Sequence, residues 1–109
     1  MTENTMSTED KFTPNVTLRR NDADHRYELL VDGRLAVQAF FHALPGHIDF
    51  THTETGQDFE GQGLGKVLAH FALDDVVATG KRIIPHCPFM SSYLRKHEGY
   101  EQFVDWPER

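Results

Sequence analysis

The chain has a single cysteine, Cys87. No internal disulfide can form, and a reducing compartment, the cytoplasm, is the expected setting. No apolar run approaches the roughly 18 residues of a membrane-spanning helix, and no signal peptide is visible. Neither a membrane partner nor export is expected. Basic residues are also scarce, with 11 Lys and Arg against 17 Asp and Glu, a formal net charge of −6. That balance lacks the footprint of a nucleic-acid binder. There are no paired cysteines and no His-Glu-x-x-His, and the seven histidines are scattered. No metal is expected. What remains is 109 residues, 39% hydrophobic and 26% charged, without internal repeats. That composition suits one soluble domain with one small core, expected as a monomer.

The most distinctive stretch is Asp58-Phe59-Glu60-Gly61-Gln62-Gly63-Leu64-Gly65-Lys66. Three glycines at alternate positions leave backbone N–H groups unobstructed just where a helix begins. Unpaired amides and the positive end of the helix dipole then converge, which favours a phosphate. The same glycines would also serve a plain turn. A Walker A loop would need glycine at position 60, which is Glu60, and Ser or Thr at position 67, which is Val67. A Rossmann loop would need glycine at position 66, which is Lys66. A phosphate here would therefore belong to something other than ATP or NAD in their usual loops.

Residues 1–14 form a polar stretch without the apolar side chains that could offset the entropy of ordering, so a disordered tail is expected. From Val16 the period is two. Strands are predicted over residues 16–19, 26–31, 34–41 and 47–54, with a strong hairpin signal at Asp32-Gly33. In the fourth strand Ile48, Phe50 and His52 fall on one face and Asp49, Thr51 and Thr53 on the other. These strands predict an antiparallel meander. After the glycine loop, Leu64, Val67, Leu68, Phe71, Ala72 and Val76 follow helical spacing up to Thr79-Gly80. Residues 81–86 predict a fifth strand, parallel because it is reached through a helix. Pro88 suits the first turn of a second helix, with Phe89, Tyr93 and His97 on one face and Gly99 as its stop. Residues 100–104 predict a last short strand.

Thr51-His52-Thr53-Glu54, Glu60-Gly61-Gln62-Gly63-Leu64-Gly65, Cys87-Pro88-Phe89 and the segment from Tyr93 to Tyr100 occur in this order. In that combination the chain resembles the GNAT superfamily of acetyl-CoA-dependent N-acyltransferases, and within it a group of minimal single-domain members. The resemblance spans roughly residues 16 to 104. It implies an α/β fold, layered in α+β fashion, over residues 15–109: a four-stranded antiparallel meander, a long helix, a splayed parallel fifth strand, a short helix and a short terminal strand.

The resemblance also implies that the loop and helix start hold the pyrophosphate of acetyl-CoA through Gln62, Gly63, Gly65 and Lys66, with Gly61 making the turn. It implies that the pantetheine arm lies where the fourth and fifth strands part, against Phe50, Thr51 and Thr53 on one edge and residues 84–87 on the other. Arg95 is a candidate for the coenzyme phosphates or a solvated helix position, as is Lys96. Larger members place an acid tyrosine four residues before the closing glycine, which here is Arg95. Tyr93 is two residues away and about 160° around a helix. Cys87 is then the candidate reactive centre, as acyl acceptor or as proton donor to the departing thiolate. Read without the resemblance, a lone cysteine is a small buried hydrophobe. His86 is not its base, since strand neighbours point to opposite faces. His52 and Glu54 are candidates to deprotonate the acceptor amine. The expected activity is acetyl transfer from acetyl-CoA to an amine. The alternatives are a coenzyme A-binding module without transferase activity, and an interaction domain that kept only the fold.

Overall fold

The computed structural model describes residues 15–107; the predicted tail, 1–14, lies outside them. Four strands form the expected meander: β1 (Val16–Asn21), β2 (Arg26–Val31), β3 (Arg34–Leu44) and β4 (His47–Thr55). Each neighbouring pair is antiparallel. The two-residue connection Asp32-Gly33 carries φ of 50° and 82°, the left-handed pair that lets a tight hairpin follow the natural twist of its strands. Helix α1 (Leu64–Ala78) then carries the chain to β5 (Arg82–Pro85), which joins the sheet parallel to β4 and completes the order β1-β2-β3-β4-β5. Helix α2 (Pro88–Lys96) follows, with Pro88 in its first turn, where its missing N–H leaves no hydrogen bond unmade.

Both helices cover one face of the sheet. Tyr27, Leu29, Val37, Ala39, Phe41, Ile48 and Phe50 of the strands bury against Leu68, Ala72, Leu73 and Val76 of α1 and Met90 and Leu94 of α2. The buried stripe of α1 is shifted from the predicted one, since Ala69 and Leu73 are inside while Val67 is 43% exposed. Tyr27 sends its hydroxyl through the core edge to Asp75 of α1 at 2.7 Å. Burial and the Asp75 carboxylate hold its proton on well above the usual phenol range.

Among the described residues the opposite face carries no helix. Across it run two cross-strand rows, Asn21–Arg26–Phe40–His52 and Arg19–Glu28–Gln38–Glu54, in register. Glu28 is only 1% exposed there, gripped by Arg19 and Arg26 at 2.6 Å each.

Two predictions are corrected. The last strand, 100–104, is instead a 3-10 turn, Glu101–Phe103, and a single bridge from Val104 to Ile83 is all the pairing it makes. The face assignment of His52 is also wrong, because β4 carries a bulge. Phe41 pairs with Phe50 and Phe40 with His52, so Thr51 is the extra residue. One extra residue inverts the alternation of everything after it. Ile48 and Phe50 face the helices, His52 and Glu54 face outward, and Thr53 turns inward.

Candidate active site

The parallel ladder between β4 and β5 ends at Phe50 and Pro85, with one further bond from the Cys87 N–H to the Phe50 carbonyl at 2.8 Å. Beyond it β4 runs on through Thr51 to Thr55, while the other chain turns away into α2. A fork results, open where a sheet would otherwise be continuous. It begins one step later than predicted, since residues 84–85 are still paired and the Phe50 carbonyl is taken.

Cys87 sits in the crotch of the fork. It is the N-cap residue of α2, 1% exposed, with its Sγ 3.2 Å from the Thr53 hydroxyl. The bulge at Thr51 is what brings Thr53 inward to meet it. No ring nitrogen or carboxylate is hydrogen-bonded to the sulfur among the described residues. On the outer side of the fork stand two histidine–carboxylate pairs. His52 Nε2 lies 3.1 Å from Glu54 Oε2 and stacks on Phe40. His86, one residue before Cys87 and on the opposite face as strand alternation requires, places Nδ1 2.7 Å from Asp49 Oδ1. Sequence reading named His52 and Glu54 but missed the His86–Asp49 pair. Its signal was the parallel register of β4 and β5, which sets Asp49 opposite Ile84.

The glycine loop lies at the start of α1. Gly61 and Gly63 have φ of 80° and 76°, the region that suits glycine, and Gly63 is the helix N-cap. No side chain caps α1, and its first turn holds no acidic residue. The amides of that turn are thus left for something else, beside the positive end of the dipole. Thr55, Glu60, Gly61, Gly63, Gly65, Lys66 and Phe89 border a cavity of about 400 Å³ at this point. The absence of a side chain at Gly65 admits the Phe89 ring, since a Cβ there would fall 2.9 Å from its Cζ. Gln62 turns its amide back to the Asp58 carbonyl at 3.5 Å.

A narrow groove of about 100 Å³ continues from this loop between the helices, along Lys66, Phe89, Ser92, Tyr93, Lys96 and His97. Phe89, Tyr93 and His97 thus share a face as predicted, and Tyr93 stacks on His97 at 3.8 Å. Of the two neighbouring cations of α2, Lys96 is the one that lies here, with Lys66 of α1. Arg95 points to the other flank of α2, where its guanidinium lies 4.4 Å from the Trp106 ring. The two differ by one residue, and on a helix that is a turn of about 100°.

Among the described residues, no group of three or more His, Cys, Asp or Glu is arranged to hold a metal, and no helix is long and apolar enough to cross a membrane. The sequence pattern of the GCN5-related N-acetyl-transferase family matches residues 26–103. No curated protein matches the chain in sequence. Among solved structures it is similar to a "GCN5-like putative N-acetyltransferase" from Staphylococcus aureus, with a TM-score of 0.65 at 18% identity. The match covers 87% of this chain and 93% of that one, which shows a common fold.

Proposed function

The chain belongs to the GCN5-related N-acetyltransferase family, and from that premise we propose that it transfers acetyl from acetyl-CoA to an amine at the fork, by way of Cys87. The observation that carries the proposal is the position of Cys87: the one cysteine of the chain closes the gap between β4 and β5. The uncapped start of α1, with Lys66 and Lys96 beside it, is suited to the coenzyme's phosphates. On the side facing β5, the stretch of β4 past Phe50, from Thr51 to Thr53, has no strand partner and offers backbone groups to an extended pantetheine arm.

The Cys87 thiol, its Sγ 3.2 Å from the Thr53 hydroxyl, is the nucleophile of this reading. Sγ attacks the thioester carbonyl, the carbon–sulfur bond to coenzyme A breaks, and the coenzyme thiolate leaves with the proton Cys87 gave up. Acetyl-Cys87 then meets an amine arriving from the outer face, where the Glu54 carboxylate attracts an ammonium group and His52 borders its approach. The amine nitrogen bonds to the acetyl carbon and the bond to Sγ breaks, returning the free thiol. The helix-covered face thus serves the donor and the open face the acceptor.

Titration calorimetry with acetyl-CoA and intact mass after incubation test this reading, on wild type and Cys87→Ala. The expected result is binding to both and an adduct of one acetyl group on wild type alone, discharged by amines. Binding and turnover without an adduct would replace the covalent route by direct transfer. Binding without turnover would leave a coenzyme A-binding module. No binding would sink the assignment.

A further inference from the structure

Tyr93 and His97 border more than the groove beside the glycine loop. Further along α1 they also wall a second, separate cavity of about 500 Å³, between that helix and the chain that follows α2. No residue of the glycine loop or of the fork borders it. We propose that this cavity is a binding site for a primary alkylammonium ion, held by Asp74, Tyr93 and Tyr100. The proposal stands whether or not the chain transfers acetyl groups.

Charge selects the class of ligand. Asp74 and Glu98 border the cavity and no Lys or Arg does, whereas Lys66 and Lys96 line the neighbouring groove. Val77, on the cavity wall, belongs to the last turn of α1, which holds no basic residue. The negative end of that helix dipole therefore adds to the two carboxylates. Phosphates are repelled from such a site and a cation is drawn to it.

The hydrogen-bonding groups narrow the class. Tyr100 donates its O–H to Asp74 Oδ1 at 2.6 Å, and His70 Nε2 lies 3.1 Å from Oδ2. The Asp74 side chain is still 54% exposed, so its carboxylate has room for another donor. Tyr93 supplies the independent observation. It is only 8% exposed, yet its hydroxyl has no hydrogen-bonding partner among the described residues. Every fully buried side-chain polar atom among those residues has a partner, so this hydroxyl is the part of Tyr93 that emerges. It emerges on the side of Asp74. Burial and the Asp74 carboxylate together hold the phenol proton above its usual range, and Asp74 borders this cavity and not the groove. A primary ammonium has three N–H donors and no acceptor. Its donors match the oxygens of Asp74, Tyr93 and Tyr100, the tyrosine rings favour its charge, and Val77 and Phe103 give its alkyl chain an apolar wall.

The test is titration calorimetry of the whole chain with n-hexylammonium chloride near neutral pH, without coenzyme, alongside mapping of backbone amide shifts by NMR. The expected Kd is about 0.1–1 mM. 1-Hexanol and the N,N,N-trimethyl derivative should each bind about tenfold more weakly, and hexanoate should not bind. Shifts should centre on residues 70–78 and 93–103. Asp74→Asn should weaken n-hexylammonium by about tenfold or more, and Tyr93→Phe by about three- to tenfold. Thermal melts check that both variants fold. Should Asp74→Asn not fold, Tyr93→Phe decides, because it removes a hydroxyl that bonds no other group. No binding up to about 10 mM would overturn the proposal. So would equal affinity for 1-hexanol or the trimethyl derivative, unchanged affinity in folded Tyr93→Phe, or shifts centred on residues 49–54 instead.

Discussion

Glu28 holds a carboxylate where a sheet's open face would normally carry one to water, and replacing it with glutamine tests what that burial is worth. Burial by itself pushes the carboxyl upward. Hydrogen bonds from Arg26, Arg19 and Asn21 outweigh it and bring the pKa from 4.5 to about 2. At about 1.4 kcal/mol per unit, that difference is worth about 3 kcal/mol of folding stability. The folded value lies below the unfolded one, so the contribution is complete above pH 4.5 and is lost as pH falls towards 2. Glu28→Gln keeps the shape and one acceptor oxygen but leaves two guanidinium groups against a neutral amide. Stability at neutral pH should fall by about 2–3 kcal/mol, or roughly 10–20 °C in Tm for a domain of this size. Urea unfolding of both proteins between about pH 7 and about pH 3 measures it. The difference should hold to about pH 5 and shrink by about 2 kcal/mol by about pH 3, because the wild-type carboxylate is progressively protonated on unfolding. A variant within about 0.5 kcal/mol of wild type at neutral pH, or a difference that ignores acidification, would refute the reasoning.

The glycine loop separates strain from space. Gly63→Ala meets nothing within 4 Å but must hold φ at +76°, so thermal melts should show a loss of about 1–2 kcal/mol with weaker acetyl-CoA binding. Gly65→Ala instead presses the tip of the partly exposed Phe89 ring, and its gain in helix propensity, about 1 kcal/mol, offsets that; Tm should barely move while calorimetry shows reduced acetyl-CoA affinity. Lys66→Ala and Lys96→Ala should each weaken acetyl-CoA binding by about 3–10-fold, and less at high salt, whereas Arg95→Ala should not. His47 is hydrogen-bonded to Asp105 at 2.8 Å and accordingly titrates above its usual 6.5. Its stabilising contribution is present below pH 6.5 and fades as pH rises through the raised value; an NMR titration should show the elevation vanish in Asp105→Asn.

Much of this molecule was legible along the chain because local chemistry specifies it. Asp32-Gly33 favours a two-residue hairpin, Pro88 suits the first turn of a helix, and the change from period two to helical spacing after Gly63 marks where the sheet hands over to α1. The glycine loop was legible for the same reason, since it depends on residue type and spacing, whereas Cys87 became a candidate only through the family resemblance. The facing of side chains was not. It depends on a running count of pleats, and the bulge at Thr51 exists only in the pairing of β4 with β3, so no inspection of 47–54 alone could send His52 outward and Thr53 to Cys87. The parallel register of β4 and β5 likewise joined Asp49 to His86 across 37 residues. Packing around α2 gave Arg95 to Trp106 and left the groove to Lys96. Sequence alone determined which groups the protein could use. Tertiary structure decided on which side of the sheet each would stand, because a side chain's direction is set by partners distant in the chain.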